Sequence, residues 1–258
     1  MHFGQERFQT PMPKTKKSKL SGKEYVLAPQ PRVQRKADSS EGDYYPTPPW
    51  ALLALLAVEE FQGNVWEPAC GEGYLSLTLR SRGMKVHSSD LFGRGYGTAG
   101  VDFTSYREHA DQGQKLADNI ITNPPYLEDL PAEFMKIGHS VTRNKLALLM
   151  RLAVLEGQER YHDVYTKIPP SRVWIFSKRL TMVKNRVIHP GDKVPEGEKK
   201  KAGTVAYAWF IWDHKSPDVK RFDFIPPAIC NQVMAESKAI TQLVESRRDR
   251  LSSLRMAA

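Results

Sequence analysis

Between Asn64 and Met150 the chain repeatedly stops a short apolar run on glycine, an acidic residue or proline, then continues into a segment of helical pattern. The runs are Asn64 to Glu67, the stretch "MKVHSSDLF" ending as a strand in Asp90, "AGVDF", "ADNIITN" and "KLALLM" at Lys145 to Met150. Short apolar runs bounded by turn residues read as buried strands. Their alternation with helices predicts βαβ units and a mainly parallel sheet. Ligands of such sheets bind beyond the carboxyl ends of the strands, so the residues that stop each run are the first candidates for function.

The flanking segments complete the expected order. Thr47 followed by Pro48 and Pro49 predicts an N-cap and a helix over about Pro48 to Phe61. Further helices are predicted from about Gly73 to Arg82 and from Pro131 to Thr142. "SRVWIF" at Ser171 to Phe176 and "TVAYAWFIW" at Thr204 to Trp212 read as the last two strands. Between them a hairpin-like excursion with a basic tip is expected at about 180–203. Beyond Pro227 a C-terminal helix is expected to present Ile229, Val233, Ile240, Leu243, Val244 and Leu251 as an apolar stripe. With 258 residues, one main domain at about 43–226 is the expectation. Residues 1–42, basic and rich in proline and serine, read as a disordered arm without a catalytic role.

Charge and cysteine usage narrow the function classes. The 38 Lys and Arg against 29 Asp and Glu give a formal charge of +9, which favours a polyanionic partner, nucleic acid above all. Cys70 and Cys230, the 2 cysteines, make neither a disulfide framework nor a zinc cluster, and the histidines lack metal-ligand spacing, so no metal is expected. Without a long apolar run or a leader-like start, the expectation is a soluble cytoplasmic protein with no membrane partner.

The residues that stop the runs share a chemistry. After the first run stands Glu67-Pro68-Ala69-Cys70-Gly71-Glu72-Gly73, whose glycines permit close approach of a ligand to the backbone. A dinucleotide fingerprint would place a third glycine at Ser76, and Glu67 would repel phosphate. A cofactor carrying an ammonium, a sulfonium and a ribose suits an acidic turn better. Asp90 is placed to accept from ribose hydroxyls, and Asp102, with Phe103 beside the ring, from an adenine amino group. Asn123-Pro124-Pro125-Tyr126 is a rigid corner: its prolines supply no backbone N–H and end the strand before them. The lysine-rich excursion, including Lys184 and Arg186, is the candidate for phosphate contact.

"EPACGEG", "SDL", "VDF" and "TNPPY", in that order and preceded by "YPTPPW", resemble the S-adenosylmethionine-dependent amino-methyltransferases, specifically N6-adenine DNA methyltransferases of the gamma-type motif order. The resemblance spans about Tyr44 to Trp212. It implies a class I methyltransferase-like (Rossmann-like) α/β fold, with a mainly parallel seven-stranded sheet, an antiparallel last strand and helices on both faces. It also implies that Tyr45 and Thr47 touch the methionine end of S-adenosylmethionine, and that Glu67, Pro68, Ala69, Cys70, Gly71 and Gly73 wrap its methionine and ribose. Asp90 with Leu91 would hold the ribose, and Asp102 with Phe103 the adenine. Asn123, Pro124, Pro125 and Tyr126 would meet the target base, Asn123 also bordering the cofactor, and Tyr207 or Trp209 would stack on that base. The implied reaction is methyl transfer to adenine N6 in DNA. The alternatives are adenine N6 in RNA, glutamine N5 in protein, and a non-catalytic nucleic-acid-binding module. Large recognition domains follow the core in restriction-linked members; their absence here fits a small solitary enzyme of a phage or mobile element.

Overall fold

The computed structural model describes residues 44–194, 205–218 and 220–257. The basic arm and the tip of the excursion lie outside the described residues. The strands are β1 (Val65–Glu67), β2 (Val86–Ser88), β3 (Ala117–Thr122), β4 (Thr142–Arg151), β5 (Arg172–Phe176), β6 (Tyr207–Asp213) and β7 (Arg221–Ile225). They form one seven-stranded sheet in the order β2-β1-β3-β4-β6-β5-β7. All neighbours run parallel except where β6 lies antiparallel between β4 and β5.

Two apolar layers sandwich this sheet. On one face α1 (Pro49–Leu56), α2 (Tyr74–Ser81), α6 (Pro227–Gln232) and α7 (Met234–Ala257) pack together. From Pro49 through Leu55, α1 is wholly buried, because the other helices cover the side turned away from the sheet. Each fully buried Leu or Trp there contributes about 1.5–3 kcal/mol. On the other face, α4 (Leu130–Val141) and the turn at Phe103–Tyr106 pack Phe103, Phe134 and Ile137 against Ile120, Leu148 and Phe210. Period-two alternation in β6 divides accordingly: Tyr207, Trp209 and Ile211 enter the first layer, and Ala208, Phe210 and Trp212 the second.

Several expectations change. "AGVDF" forms no strand, because Asp102 caps a 3-10 turn: its Oδ1 accepts from Thr104 N at 2.8 Å. The seventh strand is supplied by "RFDFI", which pairs parallel with β5 at the opposite edge. The antiparallel strand is therefore sixth in chain order, with β7 after it. Thr47 is not the cap of α1; Pro48 holds that position without a side-chain bond, and the threonine hydroxyl is used elsewhere. The described part of the excursion has a single isolated bridge, Val183 to Arg186. It is tied down by buried Leu180, Met182, Val183, Ile188 and His189. In α7, Leu243 is exposed, and Ser237 and Thr241 face inward instead, where the Ser237 hydroxyl accepts from Trp50 N at 2.9 Å.

Among the described residues, no helix is long and apolar enough to cross a membrane.

Candidate active site

Strand order places the site before any side chain is considered. From β1 the chain crosses to β2 on one side, while β3 lies on the other. This reversal opens a crevice at the carboxyl ends of β1 and β3. The glycine turn after β1 and the proline corner after β3 follow neighbouring strands, and the Tyr44–Thr47 segment touches both, at Glu72 N and at Asn123 Nδ2. Because β6 is antiparallel, it brings its first residue, Tyr207, to the same edge, opposite Arg151 at the end of β4.

The turn is built for close approach. Gly71 has φ +54° and Gly73 φ +93°, conformations that L side chains rarely adopt. A Cβ on Gly71 would meet the ring of Tyr44 at 2.6 Å, and one on Gly73 the ring of Tyr96 at 2.5 Å. Asp90 braces the turn, its Oδ2 accepting from Gly71 N at 2.7 Å and its Oδ1 from Phe92 N at 2.8 Å. Glu72 N donates to the Tyr44 hydroxyl at 3.1 Å. Pro68 is buried, Ala69 is half-buried, and Leu91 is exposed.

Glu67 behaves differently from its neighbours. It is 1% exposed, and its carboxyl accepts from the Ser76 hydroxyl, which also bonds Ser88 Oγ at 2.6 Å. At the position where the fingerprint would have glycine, Ser76 thus solvates a carboxyl group sealed beneath the turn. Burial, with Asp90 nearby, pushes the Glu67 pKa well above the usual carboxylate range. Glu67 therefore supports the turn from within and does not face the crevice. Burial also raises Asp90 and Glu72. It pushes the Cys70 thiol up as well, with Glu67 and Asp90 adding to the shift, so Cys70 is a packed, protonated thiol.

Orphaned polar atoms gather around this turn. Glu72 Oε2, Tyr74 OH and Tyr96 OH are all buried without a hydrogen-bond partner. Arg248 of α7 lies 3.7 Å from Glu72, and the Arg247 guanidinium lies 4.6 Å from the centroid of the Tyr96 ring. Farther out, Phe103 is 3% exposed and packs against Trp66 and Phe134, with ring centroids 5.2 and 4.6 Å away. Its ring is thus committed to the core, a correction to the adenine contact expected of it.

The proline corner holds its asparagine in one orientation. Asn123 Nδ2 donates to Thr47 Oγ1 at 3.0 Å and to the Tyr45 carbonyl at 3.3 Å. A carbonyl only accepts, so the amide nitrogen must lie on that side and Oδ1 on the other. Oδ1 accepts from the Tyr126 hydroxyl at 2.5 Å, and that hydroxyl also lies 3.0 Å from the Leu149 carbonyl. Burial raises the Tyr126 pKa well above its usual value, so the phenol keeps its proton. Pro124 is buried and Pro125 is half-buried.

Of the two aromatic candidates on β6, the structure separates one from the other. Tyr207 is 8% exposed, and its ring centroid lies 6.2 Å from that of Tyr126. Trp209 is fully buried and donates its indole N–H to the Ala51 carbonyl at 2.9 Å. Trp209 is a core residue, so the expectation of base stacking there is corrected. Lys184 and Arg186 are exposed. The residue between them, Asn185, donates its N–H to the Tyr44 carbonyl at 2.9 Å, which ties the excursion to the segment that holds Asn123.

Sequence reasoning missed Tyr44, Tyr96 and Arg151. Tyr44 and Tyr96 carry no local signal, since each reaches the turn from a distant loop. Arg151 was visible as the cation that closes a buried apolar run. Among the described residues, no cluster of three or more His, Cys, Asp or Glu side chains is arranged to hold a metal ion.

No family model and no curated protein matches the chain. Similar solved structures include a Vibrio vulnificus protein assigned as the modification subunit of a type I restriction enzyme. It is 15% identical, with a TM-score of 0.43, and the match covers 71% of this chain and 47% of that one. A Pyrococcus horikoshii protein assigned as an RNA methyltransferase is 12% identical, with a TM-score of 0.45, over 67% of this chain and 87% of its own. A SAM-dependent methyltransferase from Agrobacterium tumefaciens is 14% identical, with a TM-score of 0.39, over 64% of this chain and 60% of its own. The chain thus spans about half the length of the Vibrio protein, and the functional reading rests on its own site residues.

Proposed function

We propose that the protein transfers a methyl group from S-adenosylmethionine to an exocyclic amino group, and that the acceptor is N6 of adenine in DNA. The observation that carries this reading is the fixed Asn123 amide. With Nδ2 held by Tyr45 and Thr47, Oδ1 is left as the acceptor end of the amide, beside the Tyr126 hydroxyl.

The residues around the glycine turn fit the cofactor. Asp90 supplies negative charge toward a ligand that carries positive charge. Bound there, S-adenosylmethionine supplies a methyl group made electrophilic by its sulfonium. Asp90 keeps acceptor capacity beyond the two backbone N–H groups it already holds, since a carboxylate offers about four lone-pair sites.

The chain's own residues then address the weak nucleophile. The lone pair of an adenine amino group is delocalised into the ring, so the nitrogen must become more tetrahedral before it attacks. Asn123 Oδ1 and the Pro124 carbonyl accept its N–H bonds and favour that change electrostatically. Asn123 can do so while still bonded to Tyr126, because an amide oxygen has two lone pairs. The Tyr126 ring stacks on the base, with the tilted Tyr207 ring, 6.2 Å away, beside it, and the two prolines keep the acceptors from moving away. Exposed Lys184 and Arg186 hold the strand by its phosphates.

The test is incubation with radiolabelled cofactor and separate DNA, RNA and protein acceptors, followed by nucleoside and amino-acid analysis. Label in N6-methyladenine of DNA is expected. Label in cytosine or in protein alone would sink the reading, and label in RNA adenine alone would move it to the other nucleic acid.

A further inference from the structure

Arg151 closes β4 directly beside the corner, and its cationic group is underused. Its guanidinium carbon lies 4.9 Å from the centroid of the Tyr126 ring. Its Nε is buried with no hydrogen-bond partner, and among the described residues no carboxylate pairs with it. An arginine stays charged under all physiological conditions. Leaving one of its N–H groups buried and unbonded is costly, and a cation–π contact offsets only part of that cost. The other partly buried arginine beside a sheet end, Arg172, has its guanidinium saturated by Glu59 and Asp213. Arg151 has an aromatic face and spare donors.

Building on the proposed methyl transfer, we infer that Arg151 binds the phosphate of the target nucleotide, so that the acceptor is a polynucleotide and not a protein side chain. A base and a guanidinium are both planar and compete for the face of Tyr126. When the base takes that face, the guanidinium is released toward the sugar–phosphate that the base brings with it. A phosphate satisfies the arginine fork with charge-assisted bonds. A glutamine side chain brings no anion and would leave Arg151 unpaired.

The experiment measures initial rates of methyl transfer to an oligodeoxynucleotide, and to the same strand with a neutral methylphosphonate in place of the target nucleotide's phosphate. Wild type, Arg151→Met and Arg151→Lys are compared, with cofactor affinity followed by calorimetry. For wild type, the neutral linkage is expected to raise KM about tenfold or more. Arg151→Met should show that rise already on the ordinary strand and no further rise on the neutral one. Its salt dependence should have a slope smaller by about one, cofactor affinity should not change, and Arg151→Lys should fall between the two.

A purely structural arginine would lower the melting temperature and kcat without changing the response to the neutral linkage or to salt, and that result overturns the inference while methyl transfer stands. Label in protein with none in nucleic acid overturns both. If Arg151→Met does not fold, the two strands with wild type decide: equal KM values overturn the inference.

Discussion

The two ends of the sheet treat charge in opposite ways. At the amino ends of the parallel strands, Glu59, Lys145, Arg172 and Asp213 close on one another. Arg172 donates to Glu59 from Nε at 2.9 Å and from Nη2 at 2.7 Å, and to Asp213 at 2.8 Å. Lys145 reaches Glu59 at 2.5 Å, and the Trp174 indole N–H reaches it at 2.9 Å. These bonds outweigh the cost of burial and hold the Glu59 and Asp213 carboxyls below their usual range. At the carboxyl ends, burial wins instead, and the pKa values of Glu67, Glu72 and Asp90 rise. One end uses its charges on the fold. The other leaves Glu72 Oε2, Tyr74 OH, Tyr96 OH and Arg151 Nε buried without a hydrogen bond.

The largest effect is expected from breaking the satisfied end. Glu59→Ala leaves two cations facing each other with only Asp213, and it should cost about 3–5 kcal/mol of stability by chemical denaturation. Methyl transfer by the fraction that remains folded should not change; a selective loss of transfer would mean that the two ends are coupled.

Next comes Asn123→Ala at the open end. It removes the oriented acceptor and should lower the rate of transfer by about 10²–10³-fold in single-turnover measurements, with cofactor affinity changed little. Equal loss of cofactor binding would assign the corner to the cofactor pocket or to folding.

Ser76→Gly creates the dinucleotide fingerprint and strips Glu67 of its hydroxyl partner. A loss of about 1–3 kcal/mol is expected. A neutral result would show that Glu67 finds another donor, and its role beneath the turn would fall.

The smallest effect, and the most direct comparison, is in pH dependence. Glu67 titrates above its ordinary 4.5 in the fold, so its contribution is full below that value and is lost as pH rises through the raised one. Glu59 and Asp213 titrate below their ordinary 4.5 and 3.8. Their contribution is present above those values and is lost as pH falls through the lowered ones. In urea melts across acid to neutral pH, Glu67→Gln should gain on wild type as pH rises. Over the same range the deficit of Glu59→Gln should widen. Curves that run parallel for both variants would erase the distinction between the two ends.

Much of this was legible in the chain. The runs at 64–67, 117–122 and 145–150 fall in β1, β3 and β4, because continuous apolar sequence between breakers has few other ways to be buried. The glycine turn and the proline corner were legible because positive φ and missing donors are properties of the residues themselves. "VDF" misled because a period-two pattern of three residues is also what an aspartate cap followed by a buried aromatic produces. β7 was missed because Phe222 and Phe224, although they alternate with Asp223, lie exposed at a sheet edge, so its pairing rests on backbone bonds to β5 that a sequence pattern does not show.

By itself, then, the sequence determined the alternation of elements and the chemical character of what ends each strand, since local sterics and hydrophobic periodicity act within a few residues. Only the tertiary structure decided which of those groups are sealed in the core and which stay near the ends of the strands. Glu67 and Asp90 look equivalent in sequence, yet one is sealed beneath the turn by Ser76 and the other braces it. Tyr207 and Trp209 share a face, yet Trp209 is claimed by the Ala51 carbonyl of α1. Arg151 meets the Tyr126 ring because β6 and the proline corner converge on the end of its strand. Such roles depend on partners distant in sequence, and a chain read in order does not contain them.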